Sequence, residues 1–501
     1  MLKIHRALRR RGIRALFGAI APVFLLGGCE VGPNYKPPVT RTPAGWVAPP
    51  TTQASVLVGQ PIQVERWWTT FNDPELDSLV RRAVESNLSV EAATERIVEA
   101  RASLGISTAG FFPTVNAAGS YSRSFSAAGG NTTTTTGGIT RTVGPRPHDV
   151  WQAGFDASWE LDVFGGLRRQ IEAAGASLDA TIEDRRDVLV TLLGDVATNY
   201  ILLRGYQQEI AISNENLAVQ VRNTKLARDK KQLGTGTDLD IALADSIVAS
   251  TLAAIATLES LEQQTIYSLS VLLAMPPTAL DRELSSREKI PVPPPVVPVG
   301  LPSELLRRRP DIRRAERQLA AATAEIGVAT ADLFPKFNLN GTLTLQGNRY
   351  QALSNWGDRF WSFGPSFTWP IFDAGRIWSN IQVQNAVQAQ AYTAYKQAVL
   401  TALQDVQNAL VAYAKEQQRR VALNDAVAAN ERAVTLASKR YNQGLTDYLN
   451  VIDAERSLFS SQDALVQSNR AVGTDLVALY KALGGGWEIG EPPAAARPIV
   501  K

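Results

Sequence analysis

The chain has 501 residues, of which 45% are apolar and 20% charged, so it can bury a core and is not disordered as a whole. Lys3, Arg6, Arg9, Arg10, Arg11 and Arg14 all fall in the first 28 residues, which hold no acid; the rest carries 45 basic against 48 acidic residues, a net −3. No basic footprint for nucleic acid remains. With two histidines, His5 and His148, and one cysteine, Cys29, Ser-His-Asp or Cys-His catalysis, zinc clusters and disulfide frameworks are excluded or nearly so. An enzyme built on carboxylates alone stays open at this point.

The chain begins as an export signal. Ala15–Leu26 is an apolar run of 12 residues behind the Arg-rich start, too short to span a bilayer and right for a signal-peptide core. It ends in Leu26-Gly27-Gly28-Cys29. Small residues before a cysteine resemble the bacterial lipobox, which implies cleavage of 1–28 and a diacylglycerol and an N-acyl chain on Cys29. Glu30 follows rather than the aspartate used for inner-membrane retention, which favours the outer membrane. Pro33, Pro37, Pro38, Pro43, Pro49 and Pro50 make 29–66 an extended tether.

The remainder is a duplication. At an offset of 210, Trp159/Trp369, Gly165/Gly375, Val196/Val406, Gly234/Gly444, Leu239/Leu449 and Leu273/Leu483 coincide. Upstream the offset is 222, through Ala93/Ala315, Phe112/Phe334 and Pro113/Pro335. The repeats are therefore 67–289 and 303–486, joined by a proline-rich linker at 290–302 and followed by a flexible tail expected at 487–501.

Each repeat reads as helix, hairpin, long helix, turn, helix. The opening helices are Glu75–Ala109 and Ser303–Leu333. Leu167–Leu233 has no proline, and Arg376–Gln443 has neither proline nor glycine. Ile182, Leu189, Val196, Leu203, Ile210 and Leu217 recur every seven residues, as do Val399, Val406 and Tyr413. Such heptads argue coiled-coil packing, and about 67 residues of helix run about 100 Å at 1.5 Å per residue. Tight turns at Gly234-Thr235-Gly236 and Gly444-Leu445-Thr446 end the long helices. Helices to about Ala274 and Leu483 then return partway.

The hairpin strands alternate. Trp151, Ala153, Phe155, Ala157, Trp159 and Leu161 share one face, and Gln152, Asp156, Ser158 and Glu160 the other. The segments 337–346, 361–371 and, more weakly, 114–125 follow the same rule. Thr132–Thr136 reads as an external loop. Strands of about ten residues with aromatic apolar faces suit a membrane barrel. Four strands cannot close one, and an open edge in lipid leaves backbone groups unpaired, so several chains must share a barrel.

These features resemble the TolC-like outer-membrane efflux proteins, and most closely their NodT-type lipoprotein branch. The matching residues are Cys29-Glu-Val-Gly-Pro-Asn-Tyr35, Trp67-Trp68-Thr-Thr-Phe71-Asn-Asp73-Pro74-Glu-Leu76, Gly300 to Ile312, and Tyr441-Asn-Gln-Gly444 through Leu449 to Arg456. The resemblance implies a mixed α and β membrane protein, a homotrimer with a coiled-coil α-barrel and a shared 12-stranded transmembrane β-barrel. It implies no enzyme activity, catalytic residue or metal, and no cofactor beyond the lipid. Its partners would be outer-membrane lipid, a periplasmic adaptor and a proton-driven inner-membrane pump. The adaptor would dock at Gly234, Thr235, Gly236, Gly444, Leu445 and Thr446.

The family's gate transfers residue by residue. Tyr441 matches a tyrosine bonded to an aspartate at the position of Asp240. Asp453 matches a three-fold constriction ring, Leu449 an apolar ring and Arg456 an arginine latch. Asn450 stands where some members carry a second ring aspartate, which implies weaker cation binding at the mouth. The expected function is a passive exit duct for small toxic compounds. A type I protein-secretion duct of the same fold is the alternative. A carboxylate hydrolase needs a concave site on a compact domain, for which the heptads leave little chain.

Overall fold

The computed structural model describes residues 30–46, 55–56, 64–125, 132–136, 139–143, 147–286, 288–291, 297–298 and 301–490. The expected signal peptide, Cys29 and the tail beyond 490 lie outside the described residues, whereas Trp487–Gly490, expected to open that flexible tail, is a 3-10 turn with Trp487 and Ile489 packed against the core. Two compact units are present. One comprises residues up to Pro37 with Glu99–Leu178 and Arg317–Tyr392; the other comprises Pro38–Val98, Asp179–Glu316 and Thr393 onward.

The duplication is visible element by element. The first repeat contains α1 (Pro74–Ser86), α2 (Leu88–Ala109), β1 (Thr114–Ser124), β2 (Thr132–Thr136), β3 (Ile139–Val143), β4 (His148–Leu161), α3 (Gly166–Gln232), α4 (Asp238–Leu272) and the short α5 (Asp281–Leu284). The second contains α6 (Pro302–Arg308), α7 (Pro310–Ala331), β5 (Lys336–Gly347), β6 (Arg359–Thr368), α8 (Arg376–Asn442) and α9 (Tyr448–Ala482). α3 and α8 both have 67 residues, and α4 and α9 both have 35.

Neither opening helix is continuous as expected. The first breaks at Asn87, where the backbone is extended. Its side chain accepts from the Ser89 N–H at 2.9 Å and the Val90 N–H at 3.2 Å, capping α2. The second breaks at the equivalent Arg309 because Pro310 follows, and the residue before proline is driven out of the helical region. Both junction side chains then serve the returning helices. Asn87 donates to the Leu272 carbonyl at 2.8 Å and Arg309 to the Ala482 carbonyl at 2.9 Å. These carbonyls have no partner within their own helices, so the break residue of each repeat closes the end of that repeat's returning helix.

The main core of this unit surrounds Trp67, which stacks on Tyr480 at 5.2 Å. Asp73 caps α1 through the Glu75 and Leu76 N–H groups and accepts from the Tyr200 hydroxyl at 2.7 Å. The conspicuous Trp-Trp and Asp-Pro residues thus fix the start of the first repeat onto α3.

In the other unit, β1, β4, β5 and β6 form one antiparallel sheet in that order, with the outer edges of β1 and β6 unpaired among the described residues. One face is aromatic: Tyr121 lies against Trp151 at 4.4 Å, Leu343 opposite Trp361, and Phe337 against Phe367 at 6.2 Å. Trp361, Phe363 and Phe367 are 68%, 69% and 67% exposed. The other face is a polar ladder: Asn116 donates to Asp156 at 3.1 Å, Ser158 to Asn340 at 3.0 Å, and Asn340 to Ser366 at 2.8 Å. Trp159 and Trp369 donate to the Phe111 and Leu333 carbonyls at 2.9 and 3.0 Å, an equivalent tie in each repeat between strand and preceding helix.

Thr132–Thr136 is not the loop expected from sequence. It pairs with Ile139–Val143 as an antiparallel ribbon. β-Branched threonines on either side of Gly137-Gly138 are a hairpin signal. The start of the tether is docked rather than merely extended. The Val31 N–H bonds the Phe164 carbonyl at 3.1 Å, and Arg169 donates to the Val31 carbonyl and Asn34. At Gly32, φ is +87°, and a Cβ there would meet Gly327 Cα at 2.4 Å.

Candidate functional site at the helical turns

The two turns are built alike. After α3, Gly234 has φ +73°, its N–H donates to the Lys231 carbonyl at 2.9 Å, and the Thr235 N–H donates to Lys230 at 2.9 Å. After α8, Gly444 has φ +73°, and the corresponding bonds run to Tyr441 at 3.0 Å and from Leu445 to Arg440 at 2.9 Å. Paired bonds of this kind satisfy the last carbonyls of a helix and need a left-handed residue. A Cβ on Gly234 or Gly444 would meet nothing within 4 Å. Backbone conformation, rather than crowding, therefore asks for glycine there. Gly236 differs: a Cβ would lie 2.9 Å from the Lys231 nitrogen.

The turns start their returning helices differently. Thr237 and Asp240 form a reciprocal capping box: the Asp240 N–H donates to the Thr237 hydroxyl at 3.2 Å, and the Thr237 N–H to the Asp240 carboxylate at 3.0 Å. Asp447, at the second turn, makes no side-chain cap bond.

Side chains from both turns meet in one apolar cluster: Ala227 on α3, Ala244 on α4, Tyr441 on α8, and Tyr448, Val451 and Ile452 on α9. The Tyr441 and Tyr448 rings lie 5.1 Å apart. The Lys230 ammonium sits 3.4 Å from the Tyr441 ring centroid and donates to the Tyr441 carbonyl at 3.1 Å. Burial, and then the Asp240 charge, push the Tyr441 phenol above its usual range. Asp240 thus lies within electrostatic reach of Tyr441. Its carboxylate is engaged by Thr237, and no Asp240–Tyr441 hydrogen bond occurs among the described residues.

Leu449, Asp453 and Arg456 follow at helical spacing on α9 and are all exposed. They form a stripe facing away from the cluster. The Asp453 carbonyl accepts from the Ser457 hydroxyl at 2.8 Å, and Arg456 has no ion pair among the described residues. The structure therefore brings Asp240 and Tyr441 together with both turns, and among the described residues it gives the Leu449, Asp453 and Arg456 side chains no hydrogen bond or ion pair to another element. Sequence reasoning missed Lys230, Tyr448 and the Asn223–Glu455 hydrogen bond between α3 and α9. A signal existed: Asn216, Asn223 and Lys230 repeat every seven residues on α3, as apolar residues do earlier.

The sequence pattern described as "Outer membrane efflux protein" matches residues 79–274 and 301–485. The chain belongs to that family. This outer membrane efflux protein is 33% identical over 472 residues to Nodulation protein T of Rhizobium leguminosarum bv. viciae, covering 94% of this chain and 93% of that protein. It is 32% identical over 482 residues to the solvent efflux pump outer membrane protein SrpC of Pseudomonas putida, covering 94% and 98%. Among solved structures, the outer-membrane channel OprN matches with a TM-score of 0.82 at 34% identity, over 92% of this chain and all of that one. The resemblance read from the motifs is borne out, and so is the TolC-like fold class. The efflux protein is an outer-membrane channel component and not an enzyme.

Proposed function

We propose that three copies of this efflux protein each contribute four strands to one 12-stranded barrel and four long helices to a periplasmic tunnel. The observation that carries this is the open sheet. Among the described residues its β1 and β6 edges are unpaired, its aromatic face is exposed and its opposite face is polar. Unpaired edges cannot lie in hydrocarbon, whereas closure places the aromatics toward lipid and the polar ladder toward the lumen.

Cys29 is the lipid attachment point in this reading. Support comes from Glu30, which packs against Gly165 where β4 turns into α3, at the end of a strand that would lie in the membrane. The helical turns form the periplasmic end. Asp453 and Leu449 line its mouth, Arg456 finds an acceptor on a neighbouring subunit, and the Tyr441 cluster holds the helices closed. Gly234–Thr237 and Gly444–Asp447 receive a periplasmic adaptor that links the duct to a proton-driven inner-membrane pump. Small toxic compounds are the cargo, in keeping with the solvent efflux named for the Pseudomonas putida relative.

Native mass of the detergent-purified protein tests the assembly. Three chains are expected, with ion conductance in planar bilayers. A stable monomer that still inserts would overturn the proposal.

A further inference from the structure

α3 and α9 pack through two apolar regions separated by a polar one. The main core reaches Ile212 on α3 and Val466 on α9, and the tip cluster begins at Leu226 and Ile452. Between Ile210 and Ala227 the buried residues of α3 are Ser213, Gln220 and Thr224, and no residue of α9 between Ile452 and Val466 is buried. Polar pairs span this interval. Asn216 donates to Gln462 at 3.1 Å, Asn223 donates to Glu455, and Gln220 accepts from Thr251 of α4 at 2.8 Å. Above them, Glu209 meets Arg470 at 3.2 Å. Gly205 makes room for that arginine, since a Cβ there would lie 2.6 Å from Arg470 Cδ. Glu209, Asn216 and Asn223 are seven residues apart, so the polar contacts form a seam along one face of α3.

We propose that Asn223 and Glu455 are positioning residues of the gate: their contact sets the rotation of α9 on α3, and so the direction in which Leu449, Asp453 and Arg456 face. The inference rests on the gate described above. Glu455 lies about 200° around the helix from Asp453, so the side of α9 that grips α3 is opposite the side that carries the ring aspartate. A polar seam separates at lower cost than an apolar one, because water satisfies groups that part.

The hold depends on pH. Burial raises the Glu455 carboxyl to about 7, against the hydrogen bond from Asn223, which lowers it. The groups facing Glu455 are the Asn223 amide from α3 and the Tyr448 hydroxyl from its own helix. Asp240 of α4 and Tyr441 of α8 act on Tyr448, and no cation pairs with Glu455 among the described residues. A carboxyl with a raised value favours the packed arrangement when neutral. The seam is therefore firmest below the ordinary carboxylate range, loosens as pH rises from there, and is weakest above about 7.

The test is open probability of purified trimers in planar bilayers between pH 5.5 and 8. For the wild type we expect a rise of at least about tenfold across that window. Glu455→Gln keeps the hydrogen bond without the charge and should hold the acid value throughout. Asn223→Leu withdraws the donor that tolerates the charge and should steepen the rise. A wild-type profile flat within about twofold overturns the proposal, and this measurement needs no variant. A Glu455→Gln profile that follows the wild type overturns it as well. Tyr441→Ala and Asp453→Ala, run alongside, separate the two levels. If they change the channel while Glu455→Gln tracks the wild type, only the seam is refuted; if they too are silent, the gate itself lies elsewhere.

Discussion

Tyr441 offers a direct test of what holds the helical tips together. The family resemblance assigns its role to a hydroxyl bonded to Asp240, whereas in the structure the ring makes the contacts. Tyr441 is 8% exposed, packed against Tyr448 at 5.1 Å and capped by the Lys230 ammonium at 3.4 Å. An aromatic pair contributes about 0.5–1.5 kcal/mol beyond burial, and a partly exposed cation–π contact about 0.5–1 kcal/mol. Truncating a buried aromatic ring to alanine costs about 3–5 kcal/mol in all. Tyr441→Ala should therefore shift the packed-to-open ratio by about two decades or more per chain. Tyr441→Phe keeps the ring, the cation and the packing, and should stay within about 0.5 kcal/mol of the wild type. Single-channel recording reads both, and heat resistance of the trimer on gels checks that assembly survives. If Phe opens the channel as strongly as Ala, the hydroxyl is the latch and the ring argument is refuted. If neither opens it, the tip cluster does not restrain the gate.

Other outcomes follow from named contacts. Asp453→Ala should reduce cation preference and weaken block by multivalent cations, measured by reversal potential and titration, since it removes one exposed charge per chain. Gly444→Val should impair efflux because φ is +73° and a β-branched residue resists that conformation by about 1–2 kcal/mol. Gly444→Asn tolerates the conformation and should retain efflux in drug-susceptibility assays unless the adaptor needs a bare backbone at that point. Intact mass of the purified protein should begin at Cys29 and carry acyl chains; an unlipidated start elsewhere would refute the anchor.

Much of this architecture was legible in the sequence because duplication doubles every signal. A 67-residue helix without proline, a glycine at its end and alternating aromatics appear twice at matching offsets. The breaks at Asn87 and Arg309 were harder to see. Pro310 is a plain stop signal, but Asn87 acts through a side chain that caps both ways, and nothing in the apolar periodicity changes there. The ribbon at Thr132–Thr136 was missed because five threonines look like a polar tract before their β-propensity is weighed. At the candidate site, the positions of Tyr441 and Asp240 at the turns were readable. Their contacts were not, because a capping box and a Tyr–Asp bond compete for one carboxylate and only geometry decides between them.

The two repeats share a scaffold and differ in what they carry on it. Leu449, Asp453 and Arg456 of α9 correspond by the offset of 210 to Leu239, Leu243 and Ser246 of α4. The charged stripe is therefore confined to the second hairpin. The first hairpin has instead the capping box of Thr237 and Asp240, and a capping side chain contributes about 1 kcal/mol to the start of a helix. The second begins at Asp447 with no side-chain cap bond, and the counterpart of Asp240 is Asn450, whose amide bonds Thr446 at 2.8 Å. Tyr441, the residue whose ring is clamped by Lys230, stands where the first repeat has Lys231. The first hairpin thus has a reciprocal cap at its own turn, whereas the second lacks a side-chain cap and is held by the Tyr441–Tyr448 pair together with contacts reaching across from α3 and α4. Contacts between elements can be exchanged without unfolding either one, whereas a cap cannot be lost without fraying its helix. On that ground we expect movement in the α8–α9 hairpin, which is also the one that presents Asp453.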